Sequence, residues 1–580
     1  MVLLAIPAPA PVRAEAAPDP ALALSARIDA HIEAVWKRDG IKPAERSTDQ
    51  EFLRRVYFDT VGVPPTRAET LAFLEDTAAN RRARLIESLL ADPRFGEHLA
   101  DRWLPILRER GNDLGELGDS AADVMAVWLA RQFNANVGFD RTIRAMVTAE
   151  GTLSANPAAG YYALMGFPAP VADMAGLTIK HFGGRQVQCA ECHDHPYEKD
   201  IKQADFAGMA SFFYPIETKT DFYVQPIDPG IATRAYAPPA LLKQYRDSPD
   251  LPPEAFTVID DLIRYNEPKL FGDKALKTKD TKVWRTIFAD WLLSPKNETT
   301  GRYLANRFWS FLFGAALLEP VDEFNSINEA SHPELLAELG KTFSRTYDVK
   351  LLYRALLNSR VYQLSGKPVE GAQRWHHASA AARQLTPEQL LGALLQLTEG
   401  DALLKAFARQ HQNSYAKVKA FARISEMQNP DAKTEGYRLD KDLLETYLKY
   451  FEEMRMPWQL RRAMAAKYQA LAQDDEMARS DTFSLSIDQA LVVLNGEVTR
   501  RLSGSTNGSL VYAVMRDNDT TAKRVDAMYL AILARRPTDA ERKRAADYVA
   551  EQVSQGQAEQ RALEDLFYAL VSTTEFATNH

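Results

Sequence analysis

Apolar residues in this chain recur mainly at the three- and four-residue intervals of an amphipathic helix, and strand-like alternation is scarce. The fold class expected is therefore mostly α. Thr48-Asp49-Gln50-Glu51 has the spacing of a capping box, and Phe52, Val56 and Tyr57 follow at helical intervals. That helix is expected to stop at Gly62, because Pro64-Pro65 cannot continue it. Thr66 with Glu69 then starts a second helix through Leu71 and Leu74. The same device predicts helix starts at Ser331/Glu334, at Thr386/Gln389 with Pro387 in the first helical position, and at Thr538/Glu541. Tyr57 precedes Pro65-Thr66 and Glu69 at the spacing that Tyr529 shows before Pro537-Thr538 and Glu541. This is a duplicated helical hairpin or one capping solution used twice.

Prolines break the pattern between about Glu217 and Thr281, where Pro226, Pro229, Pro238, Pro239, Pro249, Pro252 and Pro253 exclude a long helix. Phe222-Tyr223-Val224 is a candidate short strand there. The organisation expected is a tail over residues 1–21, a helical domain over 22–215, a Pro-rich irregular connection over 216–281 and a larger helical domain over 282–580. Within the last, the charged, Met-containing stretch from Asp401 to Ser480 reads as an exposed helical pair.

Composition narrows the function classes. With 580 residues, 46% apolar and 26% charged, most of the chain must fold, and into more than one small core. The 70 basic and 78 acidic residues leave a net charge of -8, so no basic excess exists to displace phosphate counterions and nucleic acid is not an expected partner. No apolar run is long enough to span a bilayer, so no transmembrane segment is expected. Met1 to Ile6 is apolar, and a Pro/Ala stretch with Val12-Arg13-Ala14 leads into the acidic segment Glu15 to Pro20. This looks like the back half of a secretory signal peptide cleaved near Ala14, without the positively charged front. A periplasmic or extracytoplasmic location follows as an expectation.

Only two cysteines occur, and both lie in one motif, Cys189-Ala190-Glu191-Cys192-His193. Two thiols three residues apart project to one side of a helical turn, where they can add to the two vinyl groups of a haem, and the next imidazole then lies under the iron. His193 is the expected iron ligand, and haem c the expected cofactor. Two other readings stay open: a zinc or other transition-metal site using Cys189, Cys192 and His193 or His195, and a CxxC disulfide or dithiol. For a sixth iron ligand, Met209 is close enough in sequence to swing over, and Met165, Met174 and His181 are alternatives, although a helix-buried Met is more often core filler. Asp194 and His195 are candidates for tuning the imidazole or carrying protons.

Weaker signals lie further on. Asn306-Arg307-Phe308-Trp309 sits on a helix whose Leu304, Phe308, Phe311 and Leu312 face a core, so Arg307 has a packing reading beside a functional one. Asp322 follows, then His332 within Ser331-His332-Pro333-Glu334. His332 reads first as an exposed residue after a Ser cap, and otherwise as an acid/base or ligand delivered to the first domain. An enzyme would have its pocket between the two domains, with Arg307, Asp322 and His332 on the far wall and His195 near the motif. His376-His377 reads as a solvated pair. No Walker, Rossmann, zincin or nucleophile-elbow pattern appears.

The run from Gln188 to Pro196, ending in Ala210-Ser211-Phe212-Phe213, resembles the planctomycete cytochrome-like domain family. Leu53-Arg54-Arg55-Val56-Tyr57-Phe58-Asp59, Gly62-Val63-Pro64-Pro65-Thr66 and Phe139-Asp140-Arg141 match it too. The second half resembles the usual companion domain of that family, through Asn306-Arg307-Phe308-Trp309, Glu319 to Phe324, Ser331 to Leu336, Leu357 to Ser365 and Gln489-Ala490-Leu491. The resemblance covers nearly the whole chain from about Leu24. Both families are of unknown function. The resemblance implies the two-domain architecture, an exported location and, as a partner, an exported sulfatase-like protein; a redox partner is the alternative. An exported c-type haem protein acting in electron transfer or in oxidative chemistry on an extracytoplasmic substrate, with polysaccharide-related substrates as one option, is the leading expectation. A hydrolytic non-haem metalloprotein and a non-catalytic assembly partner are the others.

Overall fold

The computed structural model describes residues 19–108, 115–153, 155–166, 170–199, 201–219, 230–233, 268–272, 276–398, 404–406, 456–469, 496–504 and 507–580. The signal-peptide segment, Phe222-Tyr223-Val224 and most of 401–480 lie outside them. The protein is mostly helical, with two regions flanking the linker around 217–275. Among the described residues no helix is long and apolar enough to cross a membrane.

The capping chemistry governs where helices begin. Thr66, Thr386 and Thr538 each accept from the backbone N–H three residues on, while Glu69, Gln389 and Glu541 reach back to the cap, starting helices Arg67–Glu75, Pro387–Gln396 and Asp539–Ser554. Thr48 caps helix Asp49–Thr60 by the same bond, at 3.2 Å, but Glu51 does not close the box. Its carboxylate instead accepts from Arg55 and from Gly366 N–H. The two hairpins share their turn: Gly62 and Ala534, each five residues after its tyrosine, both adopt the left-handed conformation at φ 71 and 56. They also touch, through Arg536 N–H on Gln50 Oε1.

The expected Ser331 cap does not form. His332 is the N-cap of helix Pro333–Phe343 and makes no capping bond, because Ser331 Oγ is turned to Leu317 O at 3.1 Å. Within the 401–480 stretch, the described helix Met456–Gln469 is packed on one face and not exposed all round. Helix Met456–Gln469 buries Trp458, Leu460 and Met464, and its Trp458, Arg461 and Arg462 converge on buried Asp101 at 3.0, 2.6 and 3.3 Å. A run of charge there follows from one carboxylate recruiting two guanidinium groups, not from a solvated face.

Strands are few. Gly230–Thr233, within the Pro-rich connection, pairs antiparallel with Ile216–Lys219 on one side and Gly151–Thr152 on the other, which stitches the connection to the first region. The larger hydrophobic cluster runs from Ala21 through Leu364 to Ala378 and draws on both sides of that connection: helix Val349–Asn358 lies against helix Pro20–Asp39, and Phe308 packs edge-on to Trp103 and Phe139. A second cluster gathers residues from Leu385 to Phe576. Asp59 joins the two. Buried, it accepts from Arg383 at 2.7 and 2.8 Å, Tyr362 Oη at 2.8 Å and Asn579 Nδ2 at 2.7 Å, while Arg383–Gln384 pairs with Thr578–Asn579. Arg54, one helical turn earlier, donates to the carbonyls of Glu575 and Phe576, each at 2.9 Å.

Candidate functional site

The Cys-His motif sits on a loop with unusual backbone on either side. Helix Val171–Thr178 widens into a π turn at Ile179–Gly183, a distortion that proteins often keep at functional sites. Gly184 follows at φ 68, beside the Tyr303 ring, and its carbonyl accepts from Phe324 N–H at 2.7 Å. A side chain at Gly184 would collide with Tyr303, so this turn requires glycine for both conformation and space.

Gln188–Glu191 then forms a 3-10 turn. Cys189 lies within this turn and Cys192 caps its end. Both thiols are free and exposed. His193 is exposed as well, and its Nδ1 lies 2.8 Å from the Asp194 carbonyl. A carbonyl only accepts, so Nδ1 carries a proton, and in the neutral ring Nε2 is the nitrogen with the free lone pair. This is the tautomer of a metal-ligating imidazole whose other nitrogen is held by the backbone. The Asp194 carboxylate, fully exposed, is held below the usual carboxylate range by Gln203 N–H and then by Lys202. It anchors the start of helix Gln203–Ala210.

His195 has a different task from the one its neighbourhood suggested. It is buried, and its Nδ1 accepts from Glu198 N–H at 3.0 Å and Tyr197 N–H at 3.3 Å. Its Nε2 must then carry the proton, which it donates to Gln186 O at 2.9 Å. Both ring nitrogens are occupied by backbone, so His195 staples the two ends of the motif loop together.

The second region closes the loop from the other side. Glu198, buried, accepts from Ser326 N–H at 2.6 Å on one oxygen and from Arg185 at 2.9 Å on the other. Together with the Phe324–Gly184 bond this makes a seam, and a cleft of about 80 Å³ opens along it. Cys189, Arg185, His195 and Tyr197 line one wall, and Glu323, Phe324 and Asn325 the other. Nothing in the local sequence marked Arg185, Glu198 or Asn325. Glu198 and Ser326, which close the seam, are 128 residues apart in the chain.

The remaining candidates separate. Arg307 and Asp322 are both buried and come together at 4.0 Å, with Lys180 of the π turn 3.9 Å from the same Asp322 oxygen. They do meet the first region, through Lys180. His332 is not exposed, as the Ser-cap reading had it: only 3% of its surface is accessible. It belongs to another cluster, with rings of Trp375 and His377 centred 6.3 and 5.8 Å away. His376 and His377 are buried too, contrary to a solvated pair. His376 Nδ1 accepts from Gln373 N–H at 2.7 Å, and His377 packs on Trp309 and Phe313. Burial pushes His332 down to about 4 and His377 down to about 3, with neighbouring cationic groups adding to it. Met209 is fully buried within the larger core, as are Met165 and Met174, and His181 is buried with Nδ1 3.3 Å from Tyr161 Oη.

Among the described residues, no group of three or more His, Cys, Asp or Glu side chains is arranged to hold a metal ion. A zinc site needs thiolates and imidazole converging on one point at roughly 2.0–2.3 Å. A haem does not, because its vinyl carbons, not its iron, take the thiols. Cys189, Cys192 and His193 are the residues that would hold a haem, the thiols on its vinyl carbons and the imidazole on its iron. Residues 27–218 match PSCyt2, a protein of unknown function (DUF1549), and residues 284–549 match PSD1, a protein of unknown function (DUF1553). No curated protein and no solved structure matches the chain.

Proposed function

We propose, from the premise that this chain is a PSCyt2 domain followed by a PSD1 domain, that it carries one covalent haem c outside the cytoplasm and acts in electron transfer or oxidative chemistry. Cys189 and Cys192 would hold the haem through thioethers, and His193 Nε2 would bind its iron. The observation that carries this reading is the His193 imidazole, whose Nδ1 is held by the Asp194 carbonyl at 2.8 Å, next in the chain to two free, exposed thiols. A bound haem supplies a one-electron couple. The residues of the chain do the rest: His195 and Glu198 stiffen the loop that presents the donors, and Asp194 orients the imidazole through its own carbonyl. The apolar Met1–Ile6 segment and the small-residue stretch to Ala14 support export, which is where haem is attached to such motifs.

The test is a pyridine haemochrome spectrum with intact mass on the full chain, produced in a host competent for cytochrome c maturation. A c-type spectrum and one haem of added mass are expected. Cys189→Ser with Cys192→Ser should abolish attachment, and His193→Ala should remove the normal Soret band. Protein that stays free of haem in that host refutes the reading.

A further inference from the structure

The buried histidine cluster of the second region leaves two nitrogens unmet. His332 Nδ1 stands 3.0 Å from Ser331 Oγ, whose own proton goes to Leu317 O at 3.1 Å. The hydroxyl oxygen can then only accept, so Nδ1 carries a proton and Nε2 keeps the lone pair of the neutral ring. Leu317 is fixed in turn, its N–H donating to Asn306 Oδ1 at 2.8 Å. His332 Nε2 is buried and meets no hydrogen-bond partner among the described residues, and the same holds for His377 Nε2. Both residues are more than nine-tenths buried, and their rings are centred 5.8 Å apart. A buried acceptor left unmet costs about 1–3 kcal/mol. His377 carries a further strain, because a residue with a Cβ is held there in the left-handed region at φ 48.

Two imidazoles on one metal ion, with nitrogens about 2 Å from it, have ring centres roughly 5–6 Å apart. The separation of 5.8 Å lies in that range. Among the described residues no third His, Cys, Asp or Glu completes a set, and His376, next in the chain, has its nitrogens engaged by Gln373 N–H and Asp39. The other neighbours are aromatic: Trp309 and Phe313 pack edge-on against His377, and Trp375 against His332. Zinc requires four donors and calcium requires oxygen. A monovalent d10 ion is satisfied by two imidazole nitrogens, and its low charge suits apolar walls. The guanidinium groups that act on the pair, Arg38 and Arg374, are themselves paired with Asp39 and Glu319. We propose that His332 and His377 form a buried site for one Cu(I) ion, with Nε2 of each ring as donor. Both lie within the PSD1 match, so this domain has a metal site of its own, independent of the haem.

The test uses the full chain with Cys189→Ser and Cys192→Ser, because the exposed thiols would compete for copper. Cu(I) alone is the probe, titrated without oxygen in the presence of ascorbate against a chromogenic Cu(I) chelator, and X-ray absorption reads the donors. One Cu(I) per chain, held by nitrogen, is expected. Binding should be lost in His332→Phe and in His377→Phe and unchanged in His31→Phe, whose imidazole is engaged by Glu338. Circular dichroism shows whether the phenylalanine variants fold. If they do not, Ser331→Ala is read instead: it removes the acceptor that sets the His332 proton, keeps both donors, and should weaken binding about 10- to 100-fold. A chain that takes up no Cu(I), sulfur or oxygen donors in the absorption spectrum, or full affinity in the folded histidine variants or in Ser331→Ala overturns the site. None of these outcomes touches the haemochrome of the wild-type chain, so the proposed function stands or falls separately.

Discussion

His195 separates a structural from a catalytic reading of the motif loop. Replacing it with Ala removes the bond to Gln186 O at 2.9 Å and the acceptor for Glu198 and Tyr197 N–H at 3.0 and 3.3 Å. Each such bond contributes about 0.5–1.5 kcal/mol net, so the three together stabilise the closed loop by about 2–4 kcal/mol. That is a small share of a whole protein's stability but a large one for a loop, and it acts on local opening. At 1.4 kcal/mol per tenfold, the amides of Tyr197, Glu198 and Ile201 should exchange with solvent roughly 30- to 700-fold faster. Hydrogen exchange read by mass spectrometry over residues 186–203 measures this. The far helix Asp539–Ser554 should keep its protection, which marks the effect as local. If exchange over 186–203 is unchanged in the His195→Ala protein, the imidazole is not a staple, and its hydrogen bonds contribute nothing measurable to the loop.

Other outcomes follow from the same geometry. Asp59→Ala leaves the half-buried Arg383 guanidinium, and the buried Tyr362 and Asn579 donors, without their carboxylate, and should cost about 3 kcal/mol in denaturant unfolding of the full chain. His332 and His377 bind protons less readily when folded than unfolded, so the unfolded state takes up more protons as pH falls below about 6.5. Stability should therefore be full above that pH and fall by about 1.4 kcal/mol per pH unit for each, down to about 4 for His332 and about 3 for His377. His332→Phe and His377→Phe should flatten that slope in unfolding measured from pH 7 to pH 4. Gly184→Ala should destabilise the chain by more than 1 kcal/mol and raise exchange at Phe324, since the new methyl meets Tyr303 and the backbone is left-handed.

What was legible in the chain was local. Thr66/Glu69, Thr386/Gln389 and Thr538/Glu541 start helices because a cap and its partner lie three residues apart and need no help from elsewhere. Where tertiary partners compete, local rules lose: Glu51 leaves its box for Arg55 and Gly366, and Ser331 gives its hydroxyl to Leu317. The paired histidines look hydrophilic in sequence, yet Trp309 and Phe313 bury His377 because a neutral imidazole is a flat aromatic ring. The seam at Glu198 and Ser326 had no signal at all, since neither residue belongs to any motif on its own.

The partners of Arg54 have a consequence in time. Its guanidinium is held by carbonyls as much as 524 residues further along the chain. Synthesis at roughly 5–20 residues per second takes about half a minute to nearly two minutes to cover that span. Throughout that interval the second helix of the chain has a cation with nowhere to settle, and burying it early would leave its donors unmet. The first hairpin is thus built to stay open until the last one arrives, so a truncation that removes residues 575–579 should be felt first at helix Asp49–Thr60, at the opposite end of the sequence.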